Sequence, residues 1–269
     1  MNPRMQSVAA AFQFLSRFPV KVQLDYSPEL FRRSTRFYPL VGAAIGAAVW
    51  CFAAAASYLL PPLPAAALIL ALWVALTGGL HLDGWMDTAD GLLSYRSREK
   101  MLEIMKDSRV GAMGVLACVL LLLLKLSLIY SLLTGGWPPL LLLLPPIWSR
   151  WFMVHAMASW PMARGKEGLA GQNFNGMQKR HSLAAVPGAA IWTAAAAAVF
   201  PLLGIGDFSL LQAGLSWLLL PLAAWGIGTW AARRMTGKLG GLTGDTYGAL
   251  NEGIETVLLL VLVIIQYRL

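Results

Sequence analysis

Charge is scarce in this sequence. Only 13% of its 269 residues are Asp, Glu, Lys or Arg, against about 25% in a typical soluble domain. With 58% hydrophobic residues and a mean hydropathy of +0.63, this excludes a disordered chain and an ordinary soluble enzyme. An integral membrane protein remains. Cysteine is almost absent: Cys51 and Cys118 both lie in apolar stretches, with no metal-type spacing between them. A disulfide framework and a zinc site are therefore not expected, and both cysteines read as small buried hydrophobes. No internal repeat is evident. The apolar runs in the first twenty residues are short and Arg17 follows at once, so no cleaved signal peptide is expected. The formal net charge is +8. In a membrane protein the placement of that excess matters more than its size, and no nucleic-acid partner is expected.

Long apolar runs dominate what is there. A membrane helix needs about 20 mostly apolar residues, and seven stretches qualify: Tyr38–Leu60, Ala65–Leu80, Val110–Leu133, Trp137–Trp160, Ala184–Gly204, Leu211–Ala232 and Leu250–Arg268. Prolines 61, 62 and 64 separate the first two, and Pro138 and Pro139 open the fourth. Pro145, Pro146 and Pro221 are expected to kink their helices. The basic residues test this division. All but Lys125, Arg150 and Arg268 of the 21 fall before the first span or in the loops after the second, fourth and sixth. The intervening loops carry none. The positive-inside rule then predicts one all-α, polytopic helix bundle over 1–269, with its N-terminus cytoplasmic and its C-terminus periplasmic. Segments 1–37, 81–109, 161–183 and 233–249 form its cytoplasmic side. Gly42, Gly46 and the Ala-rich spans allow close helix packing within the chain or between copies in a homo-oligomer.

Four polar clusters fall on that side. In Thr77–Gly91, Asp83, Asp87 and Asp90 are spaced i, i+4, i+7. At about 100° per residue they lie within roughly 60° of one another on a helix. Three carboxylates on one stripe repel unless a cation sits among them. Oxygen-only ligands favour Mg²⁺, Mn²⁺ or Ca²⁺. The alternative is a solvated acidic face, against which Gly79, Gly84 and Gly91 argue, since glycine is costly in a helix without a packing reason. His81 is a candidate for phosphate contact or proton transfer, or simply caps the bundle.

The second cluster, Ile104–Gly114, offers Lys106 and Arg109 for phosphate oxygens, with Asp107 as a metal ligand or a partner orienting Arg109. The third, Gly240–Glu255, places Asp245 and Glu252 seven residues apart with Asn251 adjacent. Glu255 is farther round and inside the last span, where acids are expensive and usually functional. The fourth and weakest, Arg164–Phe174, has the basic and glycine residues to cover a large anion or to form a loose surface loop. Arg150, inside the fourth span, needs a partner, a wet cavity or a snorkelling path. A metal with a basic rim is the arrangement of phosphate chemistry.

These segments resemble the cobalamin synthase (adenosylcobinamide-GDP ribazoletransferase) family. The resemblance rests on FLSRFPV at Phe14–Val20, FYPLVGAAIG at Phe37–Gly46, GGLHLDGWMDTADGL at Gly78–Leu92, IMKDSRVGAMG at Ile104–Gly114 and GGLTGDTYGALNE at Gly240–Glu252. Trp85 and Met86 stand between the acids where smaller or more aliphatic residues are expected. The resemblance implies a multi-pass protein of the bacterial inner membrane with a cytoplasm-facing site. It implies transfer from adenosylcobinamide-GDP to α-ribazole or α-ribazole 5′-phosphate, with Mg²⁺, releasing GMP and closing the nucleotide loop of vitamin B12. In that chemistry Asp83, Asp87 and Asp90 would hold the metal, and Asp90 or Asp107 would take the hydroxyl proton. Lys106 and Arg109 would bind phosphate, while Asp245, Asn251 and Glu252 would bind ribazole or complete a second metal site.

Two rival readings follow from the same residues. A CDP-alcohol-type phosphotransferase requires an Ala-Arg pair shortly after its Asp-Gly pair, and none follows Asp83-Gly84. A cation-coupled transporter requires ionisable residues across the membrane, whereas here they crowd one side.

Overall fold

The computed structural model describes residues 1–136, 138–199 and 210–268. Among them there is no β-strand, only an isolated parallel bridge between Met162 and Leu242. The helices are α1 (Pro3–Leu15), α2 (Pro28–Ser34), α3 (Tyr38–Leu59), α4 (Pro62–Thr77), α5 (Leu80–Leu92), α6 (Arg98–Ile104), α7 (Ala112–Thr134), α8 (Leu144–Ser159), α9 (Gly168–Phe174), α10 (Lys179–Val199), α11 (Leu210–Leu239) and α12 (Gly244–Arg268). Two 3₁₀ turns, Thr35–Phe37 and Pro139–Leu143, lead into α3 and α8.

The chain is thus an all-helical, multi-pass membrane bundle. Five segments are long and apolar enough to cross a bilayer: Pro28–Leu59, Ala112–Thr134, Pro139–Ser159, Gly214–Leu239 and Gly244–Arg268. The pair α4 and α5 makes a sixth when taken as one broken span. The fifth stretch expected from sequence, Ala184–Gly204, corresponds to α10, and its last residues lie outside the described ones. The sixth and seventh stretches run further than hydropathy suggested. α11 continues to Leu239 and α12 begins at Gly244, so most of the expected loop 233–249 is helical.

α8 is the axis of the bundle. Its face of Ile147, Phe152, Met153 and Ala156 is buried, together with Arg150. Pro145 and Pro146 do not kink it. They stand in its first turn, where a missing N–H costs nothing, and the residues before them take a 3₁₀ course. α3 packs against this entry so closely that glycine is required. A Cβ on Gly42 would run into the Pro146 carbonyl, and one on Gly46 would sit 2.7 Å from Leu143 Cα. The small residues of the third helix therefore serve packing within the chain.

The bend between α4 and α5 has a local cause. Gly78 and Gly79 both adopt left-handed φ, +66° and +74°, a region open to glycine and strained for other residues. The axis turns by 90° there. α4 ends after about 24 Å of rise, and α5 lies outside the spanning helices, across one end of the bundle. It meets the N-termini of α7 and α12. Gly84 approaches the Asp245 backbone, and Gly91 faces Met105. The glycines flanking the acids thus have a packing reason. At the same end, α1 and α2 join α9 through an aromatic cluster of Phe14, Phe31, Tyr38 and Phe174.

Neither cysteine is a core residue as the sequence suggested: Cys51 faces outward and Cys118 is half-buried, both free. Trp85 points away from the acid stripe into an apolar groove with Leu116 and Leu120 of α7 and Trp230 of α11.

Gly42→Val should lower the unfolding temperature of the detergent-solubilised protein, with an overpacking cost of about 1–3 kcal/mol. Gly188→Ala, whose new Cβ meets only ordinary contacts at 3.7 Å and beyond, should leave it unchanged or raise it.

Candidate active site

A cleft of about 220 Å³ opens at the end of the bundle that α5 crosses. One wall is α5, with His81 and Asp83. A second is the start of α12, with Asp245. The third is the segment from Met162 through α9, with Arg164 and Glu167. The loops that sequence grouped on one side do meet here. Leu242 N–H donates to the Pro161 carbonyl, Arg98 Nε donates to the Leu239 carbonyl at the end of α11, and Lys106 pairs with Glu167 at 3.0 Å.

The entry to α12 is capped locally. Thr246 N–H donates to Thr243 Oγ1, and Thr243 N–H donates to Thr246 Oγ1, a reciprocal cap that fixes the start of the helix. Asp245 then projects beside Arg164, at 3.8 Å, with Thr243 Oγ1 donating to its carboxylate. Asp83 is exposed and Asp87 half-buried. Burial, followed by the negative charges of Asp83, Asp245 and Asp90, pushes the Asp87 carboxyl up to about 7, with Arg164 pulling the other way. The cluster therefore carries more negative charge than its one nearby guanidinium offsets.

Asp90 has another partner. Its two oxygens accept from Gly111 N–H and Gly114 N–H, both at 2.8 Å, at the first turn of α7. A carboxylate there satisfies two orphan donors and complements the helix dipole. The i, i+4, i+7 stripe is real, yet its third member is held by a helix end that the spacing could not reveal. Asp107 likewise accepts from the Arg109 backbone N–H and guanidinium. Those bonds hold its carboxyl down to about 2, a weak base, and it does not line the cleft. Lys106 stands at the rim and Arg109 is almost fully exposed.

Glu252 and Asn251 correct the sequence reading further. Neither lines the cleft. Glu252 is buried and accepts from Lys125 Nζ at 2.5 Å, and the same ammonium reaches Glu255 at 2.8 Å. Glu255 also pairs with Arg150. The partner that Arg150 required is thus an acid one helix away. Lys125, Arg150, Glu252 and Glu255 form a neutral set of charges beneath the cleft. Asn251 Nδ2 lies 3.1 Å from His81 Nδ1 and 3.5 Å from Glu255 Oε1. His81 is buried at the cleft floor. Burial, then the charges of Arg150 and Lys125, keep it well below the usual imidazole range.

Among the described residues, no group of three or more His, Cys, Asp and Glu converges as a ready-made metal cage. The donor set still fits a hard divalent ion. Mg²⁺ commonly takes one or two carboxylates and fills its shell with water and phosphate oxygens; Asp83 lines the cleft, and Asp87, one turn on and outside the lining, is near enough to feel its charge, so the two would provide such a pair. Arg164 is the residue that the motifs underrated. Its signal was a basic, glycine-rich stretch, which is equally the signature of a loose loop.

Fold and site together define a class, an integral membrane enzyme whose polar chemistry is gathered at one end of a helix bundle. The profile of the cobalamin-5-phosphate synthase family matches residues 7–263. The chain belongs to that family. It is similar to an adenosylcobinamide-GDP ribazoletransferase of Brevibacillus brevis, 40% identical over 96% of this chain and 98% of the relative. Proteins of the same name from Desulfitobacterium hafniense and Pseudomonas paraeruginosa are each 40% identical, covering 96% and 97% of this chain and 96% and 99% of the relatives. No solved structure matches.

Lys125→Met should cost about 3–5 kcal/mol by stranding buried charge. Adding Glu252→Leu should recover most of it, as thermal unfolding in detergent will show. Asp90→Ala should cost about 0.5–2 kcal/mol in the same assay, as loss of a helix cap does.

Proposed function

We propose that the chain joins adenosylcobinamide-GDP to α-ribazole or α-ribazole 5′-phosphate, giving adenosylcobalamin or its 5′-phosphate and GMP. The carrying observation is the cleft that brings Asp83, Asp245 and Arg164 together in a chain whose full-length relatives bear that enzyme's name. The ribose hydroxyl oxygen attacks the phosphorus bonded to cobinamide. The bond between that phosphorus and the bridging oxygen breaks, and GMP leaves with the bridging oxygen. The hydroxyl proton passes to a carboxylate of the cleft, because Asp90 is engaged by α7 and Asp107 by Arg109.

Arg164 lies where its guanidinium can bind phosphate oxygens. Lys106, at the rim, draws the diphosphate in. Asp83 and Asp87 would hold Mg²⁺, with Asp245 alongside. When bound, that ion would neutralise charge on the diphosphate and on departing GMP. The pairing of the deep charges with one another disfavours a transport pathway, which needs free ionisable groups at mid-membrane.

The full reading has seven spans, α10 among them, in the bacterial inner membrane with the N-terminus in the cytoplasm and the C-terminus outside. It is supported by the basic residues of the loops around the cleft. Both substrates then reach the cleft from the cytoplasm, while lipid surrounds the spans.

The purified chain, incubated with adenosylcobinamide-GDP and α-ribazole, should release GMP with Mg²⁺ and stop with EDTA. Asp83→Asn should lower the rate by at least about 10²-fold. No product from a folded wild type would sink the assignment. Full activity in Asp83→Asn would move the metal elsewhere.

A further inference from the structure

Resting on that reading, we infer that Asn251, held by the Glu255–Arg150 ion pair, is a positioning residue that fixes His81 in its Nε2–H form, and that this N–H is a hydrogen-bond donor to the substrate diphosphate. Arg150 is wholly buried and stays protonated. It and Lys125 both contact Glu255, so Glu255 is a carboxylate that can only accept. The amide group of Asn251 that faces Glu255 Oε1 must therefore be its NH₂. The reverse orientation would set oxygen against oxygen and leave the NH₂ where Oδ1 now stands, without a partner.

That same NH₂ lies 3.1 Å from His81 Nδ1. A donor there requires Nδ1 to accept, so the ring proton is on Nε2. An imidazolium would set N–H against N–H. His81 Nε2 has no partner among the described residues, although the residue is only 3% exposed and lines the cleft beside Asp83. A buried donor with nothing to bond is costly unless a ligand takes it. The ligand chemistry that fits is a phosphoryl oxygen. A neutral N–H stabilises charge there without adding a cation to the crowded site. The network makes His81 a fixed donor rather than a base.

The full chain in lipid nanodiscs, labelled with ¹⁵N-histidine, reads the tautomer directly. The sequence has only three histidines, and His81→Gln identifies the His81 signals by their loss. The wild type should show the neutral Nε2–H form. Asn251→Asp, which offers only acceptors, should shift the proton to Nδ1 and lower kcat about 10–100-fold with little change in KM. In a His81→Gln background, whose amide can donate either way, adding Asn251→Asp should change kcat less than about twofold, a non-additivity expected of groups that act as one unit. An Nδ1–H or imidazolium signal in the wild type would overturn the inference. So would an equal loss from Asn251→Asp in both backgrounds, which would make Asn251 merely structural. No turnover by the wild type would sink the transferase reading, and the diphosphate role with it, even where the spectrum shows Nε2–H. Turnover with an Nδ1–H spectrum would sink the positioning relay alone.

Discussion

Four charges buried among α7, α8 and α12 set the frame on which the rest depends. Lys125 comes from α7, Arg150 from α8, and Glu252 and Glu255 from successive inward positions of α12. In an apolar interior none of them can turn to water, so each fixes the others. Such sets contribute little net stability and much selectivity for one arrangement. Here the arrangement selected is the rotation of α12. Its Glu252 and Glu255 must face α7 and α8, which leaves Gly248 against the His81 backbone and Asp245 at the cleft. A lipid-facing rotation of α12 would bury the aliphatic face and expose two carboxylates to hydrocarbon, the costlier option by several kcal/mol.

The second constraint is backbone proximity at the end of the bundle. α5 reaches α12 only because Gly84 and Gly248 leave room for main chain on main chain. It reaches α7 because Asp90 accepts from the first turn of that helix. The paired left-handed glycines aim α5 out of line with α4. Once α5 is placed, Asp83 and Asp87 follow from helical spacing alone. The acidic motif is therefore partly a docking motif. Its glycines and its third aspartate hold the helix, while its first two aspartates make no such amide bond among the described residues.

What was legible in the sequence follows from this division. Hydropathy located the spans because burial in lipid depends on each segment's own composition; Tyr38–Leu60 and Val110–Leu133 match α3 and α7 to within two residues at each end. Basic-residue placement grouped the loops that meet at the cleft, since charge sidedness is also a one-dimensional property. Partnerships were not legible. Helical periodicity states which residues share a face and is silent on what lies opposite, so Asp90 read as a ligand while an α7 backbone amide lay across from it. Glu252 read as a cleft residue because its seven-residue spacing from Asp245 was seen without Lys125, 127 positions away. Pro145 and Pro146 read as kinks because the start of α8 after a 3₁₀ turn depends on α3 packing against it. Arg164 was undervalued because a glycine-rich basic loop has the same composition whether it covers a ligand or faces water.

The site therefore has two electrostatic layers with different tasks. The deep layer is neutral, fully paired in charge, and shielded from salt by burial. The shallow layer is open, carries surplus negative charge, and has Arg164 and Lys106 at its edge. In the proposed reaction a diphosphate entering the shallow layer alone would meet net repulsion, so its binding there would depend on a cation and on donors that are already oriented. The deep layer supplies such orientation without lending its charge, because what passes from it to the cleft is the direction of a hydrogen bond. Asn251 is suited to that link: an amide carries no net charge, has a donor end and an acceptor end, and is oriented by whichever neighbour cannot change its own role. Glu255, held by Arg150 and Lys125, is that neighbour. A carboxylate at position 251 would add a third acid to the buried set, and an aliphatic residue would break the link. The amide keeps the two layers joined while leaving the charge of each unchanged.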